Sequence, residues 1–185
     1  MTSLTPSLSR SAPLWRRLAF ALCGAALITL GAKVQIPFWP VPMTLHTLAV
    51  FLVAAALGPR LGLGAMLAYL GAGAMGLPVF SGTPERGLGL AYMAGPTGGY
   101  LAGYLLAAGL IGWLAAGRGL VGRALAMLAG LAVVYAAGLA WLAVFVPAPE
   151  LLAVGLAPFL PGDLVKIALA TTLLSGLNRL KGRAQ

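Results

Sequence analysis

Asp163 and Lys166 stand three residues apart in the segment Pro158-Phe159-Leu160-Pro161-Gly162-Asp163-Leu164-Val165-Lys166. On a helix this spacing puts carboxylate and ammonium on one face. They can neutralise each other as a structural pair. Alternatively, the carboxylate accepts N–H bonds from a solute while the ammonium donates to its oxygens. Two further segments share the proline- and glycine-led character: Pro40-Val41-Pro42-Met43-Thr44-Leu45-His46 and Gly95-Pro96-Thr97-Gly98-Gly99-Tyr100. Proline suits a first helical turn because it lacks the N–H that would go unpaired there. Glycine lets a ligand approach the backbone. Three such helix starts on one face would direct free N–H donors and positive dipole ends at the same region, a place to hold a carboxylate or another polar acceptor. His46, the one histidine, reads as a polar pocket wall or an interfacial residue. With no second ligand near it in sequence, no metal site is expected. Three acids and one histidine do not assemble a catalytic set, and no G-x-x-x-x-G-K-[ST] loop is present. Neither catalysis, a cofactor nor ATP binding by this chain alone is expected.

The elements that must hold these residues are set by lipid. Of 185 residues, 61% are hydrophobic and 8% charged, and mean hydropathy is +0.98. So little charge cannot cover a water-exposed surface of this size, so the chain reads as an all-α integral membrane protein. A β-barrel would alternate apolar and polar residues, which this sequence does not. Glycine, at 26 residues, fits helices that pack closely in a bilayer. Apolar runs at 17–36, 43–58, 61–78, 96–117, 123–146 and 160–178 predict a bundle of six transmembrane helices. The whole of 1–185 forms one membrane domain, with 1–15 as a cytoplasmic tail and 16–180 as the bundle. The basic start and small-residue end of 16–32 resemble a signal peptide, but the equally apolar remainder favours a retained first span. Cys23, the single cysteine, excludes an internal disulfide.

Charge tests the count. With the N-terminus cytoplasmic, Arg10, Arg16, Arg17, Arg60, Arg118, Arg123, Arg179, Lys181 and Arg183 all fall inside, with both chain ends. Lys33, Arg86, Lys166 and all three acids, Glu85, Glu150 and Asp163, fall at the outer half. The net charge of +9 is therefore a positive-inside signal, and no nucleic-acid partner is expected. Small-residue pairs at Ala21/Ala25, Gly58/Gly62, Ala68/Ala72 and Gly99/Gly103 predict close helix packing. Glu85 and Arg86 read as solvated loop charges. Trp39, Phe80, Tyr92 and Tyr100 read as outer-interface aromatics, most of them anchors and one or two able to line a pocket.

From Leu18 to Leu180 the chain resembles the BioY family, the biotin-specific membrane subunit (S component) of energy-coupling factor transporters. The resemblance rests on Pro40-Val41-Pro42-Met43-Thr44-Leu45, Gly76-Leu77-Pro78-Val79-Phe80, Gly95-Pro96-Thr97-Gly98-Gly99-Tyr100-Leu101 and Pro161-Gly162-Asp163-Leu164-Val165-Lys166, in order. It implies six helices in a plasma (inner) membrane, an outer-facing site for biotin, a transmembrane coupling protein and ABC-type ATPases as partners. An S component for a different vitamin or small solute is the alternative. It further implies that Ala21 and Ala25 dock the coupling protein. On this resemblance Asp163 would accept from the ureido N–H groups and Lys166 would donate to the ureido carbonyl or the acid tail. Thr97, Gly98 and Tyr100 would add hydrogen bonds, and Phe80 and Met43 would form apolar wall. Where the family commonly has glutamine this chain has His46.

Overall fold

The computed structural model describes residues 13–36, 43–85 and 87–183. Trp39, the prolines of 40–42, Arg86 and the basic residue at position 10 lie outside the described residues. Four stretches are long and apolar enough to cross a membrane: Leu14–Lys33, His46–Ala74, Leu120–Leu142 and Ala148–Leu177. Gly98–Leu114 is a shorter apolar helix. The chain is a multi-pass helical membrane protein.

Helix α1 (Leu14–Lys33) buries Gly24, Ala25, Ile28, Gly31 and Ala32, a stripe at helical spacing. Its other faces expose Leu18, Leu22, Leu27 and Leu30, as lipid contact requires. The short strands β1 (Gln35–Ile36) and β2 (Met43–Thr44) then pair antiparallel, Gln35 against Thr44 and Ile36 against Met43. They deliver the chain to α2 (His46–Ala74).

Helix α2 is not one rod. Gly58 adopts φ 78°, ψ 179° ahead of Pro59, a conformation open to glycine and closed to ordinary residues. A Cβ on Gly62 would lie 3.0 Å from the Cα of Ala54, whereas an unbroken helix carries those positions roughly 12 Å apart. Gly24 of α1 likewise faces both Ala65 and Val53. The element is therefore a helical hairpin with antiparallel arms 46–57 and 59–74. The two short sequence spans 43–58 and 61–78 correspond to these arms. Gly58, expected to pair with Gly62 as a packing surface, instead makes the turn, because only glycine tolerates that backbone.

After the hairpin come α3 (Gly89–Ala94), α4 (Gly98–Leu114), α5 (Leu120–Leu142), α6 (Ala148–Gly155) and α7 (Leu160–Arg183). Gly99 and Gly103 are the contact face of α4, as the small-residue spacing predicts. A Cβ at Gly103 would meet the backbone of Val134 on α5 at 2.8 Å. On α5, Gly130 seats Ile111 and Gly138 seats Tyr100. Gly112 lies 2.6 Å, by the same measure, from the backbone nitrogen of Pro59, which sets α4 against the hairpin tip. Backbones this close are the packing that a bilayer, lacking a hydrophobic drive between helices, rewards.

Candidate solute-binding site

The first turns of α2, α4 and α7 converge at one end of the bundle, the end where α1 finishes. Two glycines make this approach possible. At Gly31 a Cβ would come 2.9 Å from the carbonyl of Leu45, so α1 lies directly against the start of α2. At Gly162 a Cβ would fall on the thioether of Met43, so β2 rests on the first turn of α7. His46 and Thr47 are thereby brought opposite Asp163 and Lys166.

Asp163 and Lys166 are 5% and 6% exposed, too buried for either charge to stand alone. Lys166 Nζ donates to Asp163 Oδ1 at 2.8 Å, and Tyr135 Oη, from α5, donates to Oδ2 at 2.7 Å. Each carboxylate oxygen keeps a further lone pair, and the ammonium keeps further protons. The pair is a structural unit that still has capacity for a ligand. Beside it, the hydroxyls of Thr47 and Tyr104 share a hydrogen bond of 2.6 Å. The His46 ring lies between Tyr104 and Tyr69, with centroids at 4.6 and 5.3 Å.

These groups line a cavity of about 320 Å³, within the ~300–1,000 Å³ usual for small-molecule sites. Polar groups gather at its buried part: His46, Thr47, Tyr69, Tyr135, Asp163 and Lys166. The exposed Gln35, Pro96, Thr97 and Val154 mark its open side. Apolar wall comes from Leu101, Val134, Leu142 and Phe159.

Sequence-predicted residues divide into lining and support. Asp163, Lys166, His46, Thr97 and Tyr100 all line the cavity. Tyr100 gives its hydroxyl proton to the carbonyl of Gly155 at 2.7 Å, fixing the connection into α7. Gly98, Phe80 and Met43 are not among the lining residues. Gly98 backs onto the carbonyl of Met93. Phe80 is fully buried, covers Gly73, stacks on Tyr92 at 4.8 Å and meets Tyr69 edge-on at 5.4 Å. It supports two cavity tyrosines and is no interface anchor. Tyr92, expected among the interface aromatics, is also buried, lines the cavity and donates to the carbonyl of Ser81 at 2.8 Å. Lys33 holds the same loop, donating to Thr83 O at 2.7 Å and Oγ1 at 2.8 Å. Ala25 is part of the core and Ala21 is half-buried, its methyl 3.7 Å from where a Cβ of Gly64 would sit.

Sequence reasoning missed Tyr69, Tyr104, Tyr135 and Thr47. A signal existed: these hydroxyls lie inside apolar runs, where each needs a polar partner.

Residues 2–183 match the BioY family. The chain belongs to the BioY family. Among its relatives, "Biotin transporter BioY" of Thermotoga maritima is 40% identical over 168 residues, covering 90% of this chain and 98% of that one. "Biotin transporter BioY" of Rhizobium etli is 37% identical over 166 residues, covering 83% and 87%. The crystal structure of the S-component for biotin from an ECF-type ABC transporter superposes with a TM-score of 0.75. It is 29% identical, with 89% of this chain and 92% of that chain covered. The likeness thus extends from sequence to three-dimensional arrangement over 89% of the chain.

Proposed function

We propose that this BioY-family chain is the biotin-capturing membrane subunit of a vitamin uptake transporter. The observation that carries this reading is the buried Asp163–Lys166–Tyr135 cluster facing the cavity, in a chain whose relatives are biotin transporters. Biotin's cyclic urea offers two N–H donors and one carbonyl acceptor. Asp163 accepts at the N–H side of the urea and Lys166 donates to the carbonyl, while Leu101, Val134 and Phe159 cover the apolar ring and chain. Thr97 meets the acid tail at the open side, and Gly98, Phe80 and Met43 hold the lining residues in place.

Six crossings with both chain ends on the cytoplasmic side of the plasma membrane fit the hairpin reading of α2. Arg16 and Arg17, Arg60 at the hairpin tip, and Arg118 and Arg123 between α4 and α5 then share one side. Lys33, Glu85, Glu150 and the cavity share the other. Captured biotin is handed inward with a transmembrane coupling protein and ABC-type ATPases. Docking is assigned to α1, whose outer faces are open. Ala21 sits at the border of its buried stripe, and Ala25 sets how closely α1 approaches the hairpin.

Competition binding to the purified chain tests the substrate. Unlabelled biotin should displace labelled biotin, and thiamine and riboflavin in large excess should not. Displacement by either of the latter would reassign the solute.

A further inference from the structure

Most polar side chains in the buried part of the cavity already hold a partner. Tyr135 and Lys166 bond Asp163, and Thr47 bonds Tyr104. Two do not: His46 Nε2 and Tyr69 Oη are buried and have no hydrogen-bond partner among the described residues. Their side chains are 7% and 1% exposed, so bulk water does not satisfy them, and a buried polar atom left unpaired is costly. Both residues line the cavity. They come from opposite arms of the α2 hairpin and are held ring to ring at 5.3 Å. Phe80 fixes Tyr69 from behind and Tyr104 fixes His46. Ring contacts on both sides therefore seat the doublet.

We propose that His46 and Tyr69 form a second polar subsite that grips the ligand's cyclic urea from the hairpin side, opposite Asp163 and Lys166. The proposal rests on the biotin reading above and extends it to residues with no role there. Donor and acceptor counts match. The urea has two N–H donors, and the site has two acceptors, the Asp163 carboxylate and an unprotonated imidazole Nε2. The urea carbonyl has two lone pairs, and the site has two donors, the Lys166 ammonium and the Tyr69 hydroxyl. A carboxylate, which has no N–H, would leave both acceptors unpaired, and a secondary amide, which has one N–H, would leave one of them unpaired. Discrimination of this kind is stronger than an apolar pocket can supply.

The test uses Tyr69→Phe, which removes one oxygen and keeps the packed ring. Biotin and desthiobiotin, which keeps the urea but lacks the sulfur ring, are titrated against the purified full chain by competition. Thermal unfolding is followed without ligand. Expected is a loss of at least about tenfold for both ligands, with the ligand-free melting temperature unchanged or raised, since an unpaired buried hydroxyl has gone. His46→Leu should show a comparable loss. His46→Gln, which retains an acceptor, should stay within about threefold of the parent. A loss for biotin alone would place Tyr69 against the sulfur ring and overturn the urea assignment. Unchanged affinities, or a lowered ligand-free melting temperature accompanying the loss, would overturn it too. A parent protein that binds neither ligand would instead remove the biotin reading itself, and this subsite with it.

Discussion

Replacing Asp163 by Asn removes a charge while keeping nearly the same volume. In the parent, Oδ1 receives Lys166 at 2.8 Å and Oδ2 receives Tyr135 at 2.7 Å, all within a buried cluster. The amide can still accept one of those bonds, but its NH₂ group turns a donor toward another donor. Two separate losses follow. Breaking a buried ion pair on one side typically costs ~3–5 kcal/mol, because the remaining charge is stranded. That should appear as a lower melting temperature without ligand. The lost hydrogen bond from a urea N–H to a charged acceptor is worth ~1.5–3 kcal/mol, or roughly 10–150-fold in dissociation constant at 1.4 kcal/mol per tenfold. Isothermal titration calorimetry with biotin reads the second loss and thermal unfolding in detergent reads the first. The double variant Asp163→Asn/Lys166→Met separates them. Removing the stranded ammonium should recover part of the melting temperature and none of the affinity. A dissociation constant within threefold of the parent for Asp163→Asn would refute a direct role of that carboxylate in binding.

Gly73→Ala places a methyl group onto the Phe80 ring. Stability should fall by ~1–3 kcal/mol, as overpacking does, with weaker biotin binding because Phe80 backs Tyr69 and Tyr92. An unchanged melting temperature would mean that the loop can re-seat freely. Gly103→Leu should force α4 from α5, since even a Cβ would lie 2.8 Å from Val134 Cα. Purification as a monodisperse protein with the parent's thermal stability would contradict that packing. In a Cys23→Ala background, a single cysteine replacing Glu150 should react with a membrane-impermeant maleimide on intact cells. One replacing Arg118 should react only after permeabilisation, and labelling of both from the same side would overturn the six-crossing topology.

Polarity at membrane depth made much of the site legible in the sequence. An acid and a lysine three residues apart in an apolar run have few physical reasons to be there, and both line the cavity. The proline- and glycine-led starts marked the three helices whose first turns converge. The hairpin was legible as two short spans, though sequence did not distinguish the packing glycine from the turning one. Gly58 and Gly62 are the same residue type, and the positive φ of Gly58 is what marks it as the turn. Supporting residues were harder to separate from lining residues. Phe80 and Met43 occupy the segments that carry the family resemblance, but their side chains turn toward Gly73 and Gly162, contacts distant in sequence. The tyrosines on α2, α4 and α5 signalled a need for polar partners, but those partners are distant in sequence. A tyrosine hydroxyl declares its role only once the fold shows what it faces, as Tyr135 does with Asp163.

Biotin retained by the protein itself gives the most direct answer. The full chain, produced in biotin-containing medium and purified in detergent without added ligand, should release biotin in stoichiometric amount on denaturation, as detected by mass spectrometry. The Asp163→Asn protein prepared in parallel should release little. A folded, monodisperse parent protein that carries no biotin, and takes none up when it is supplied, would contradict the assignment of this cavity.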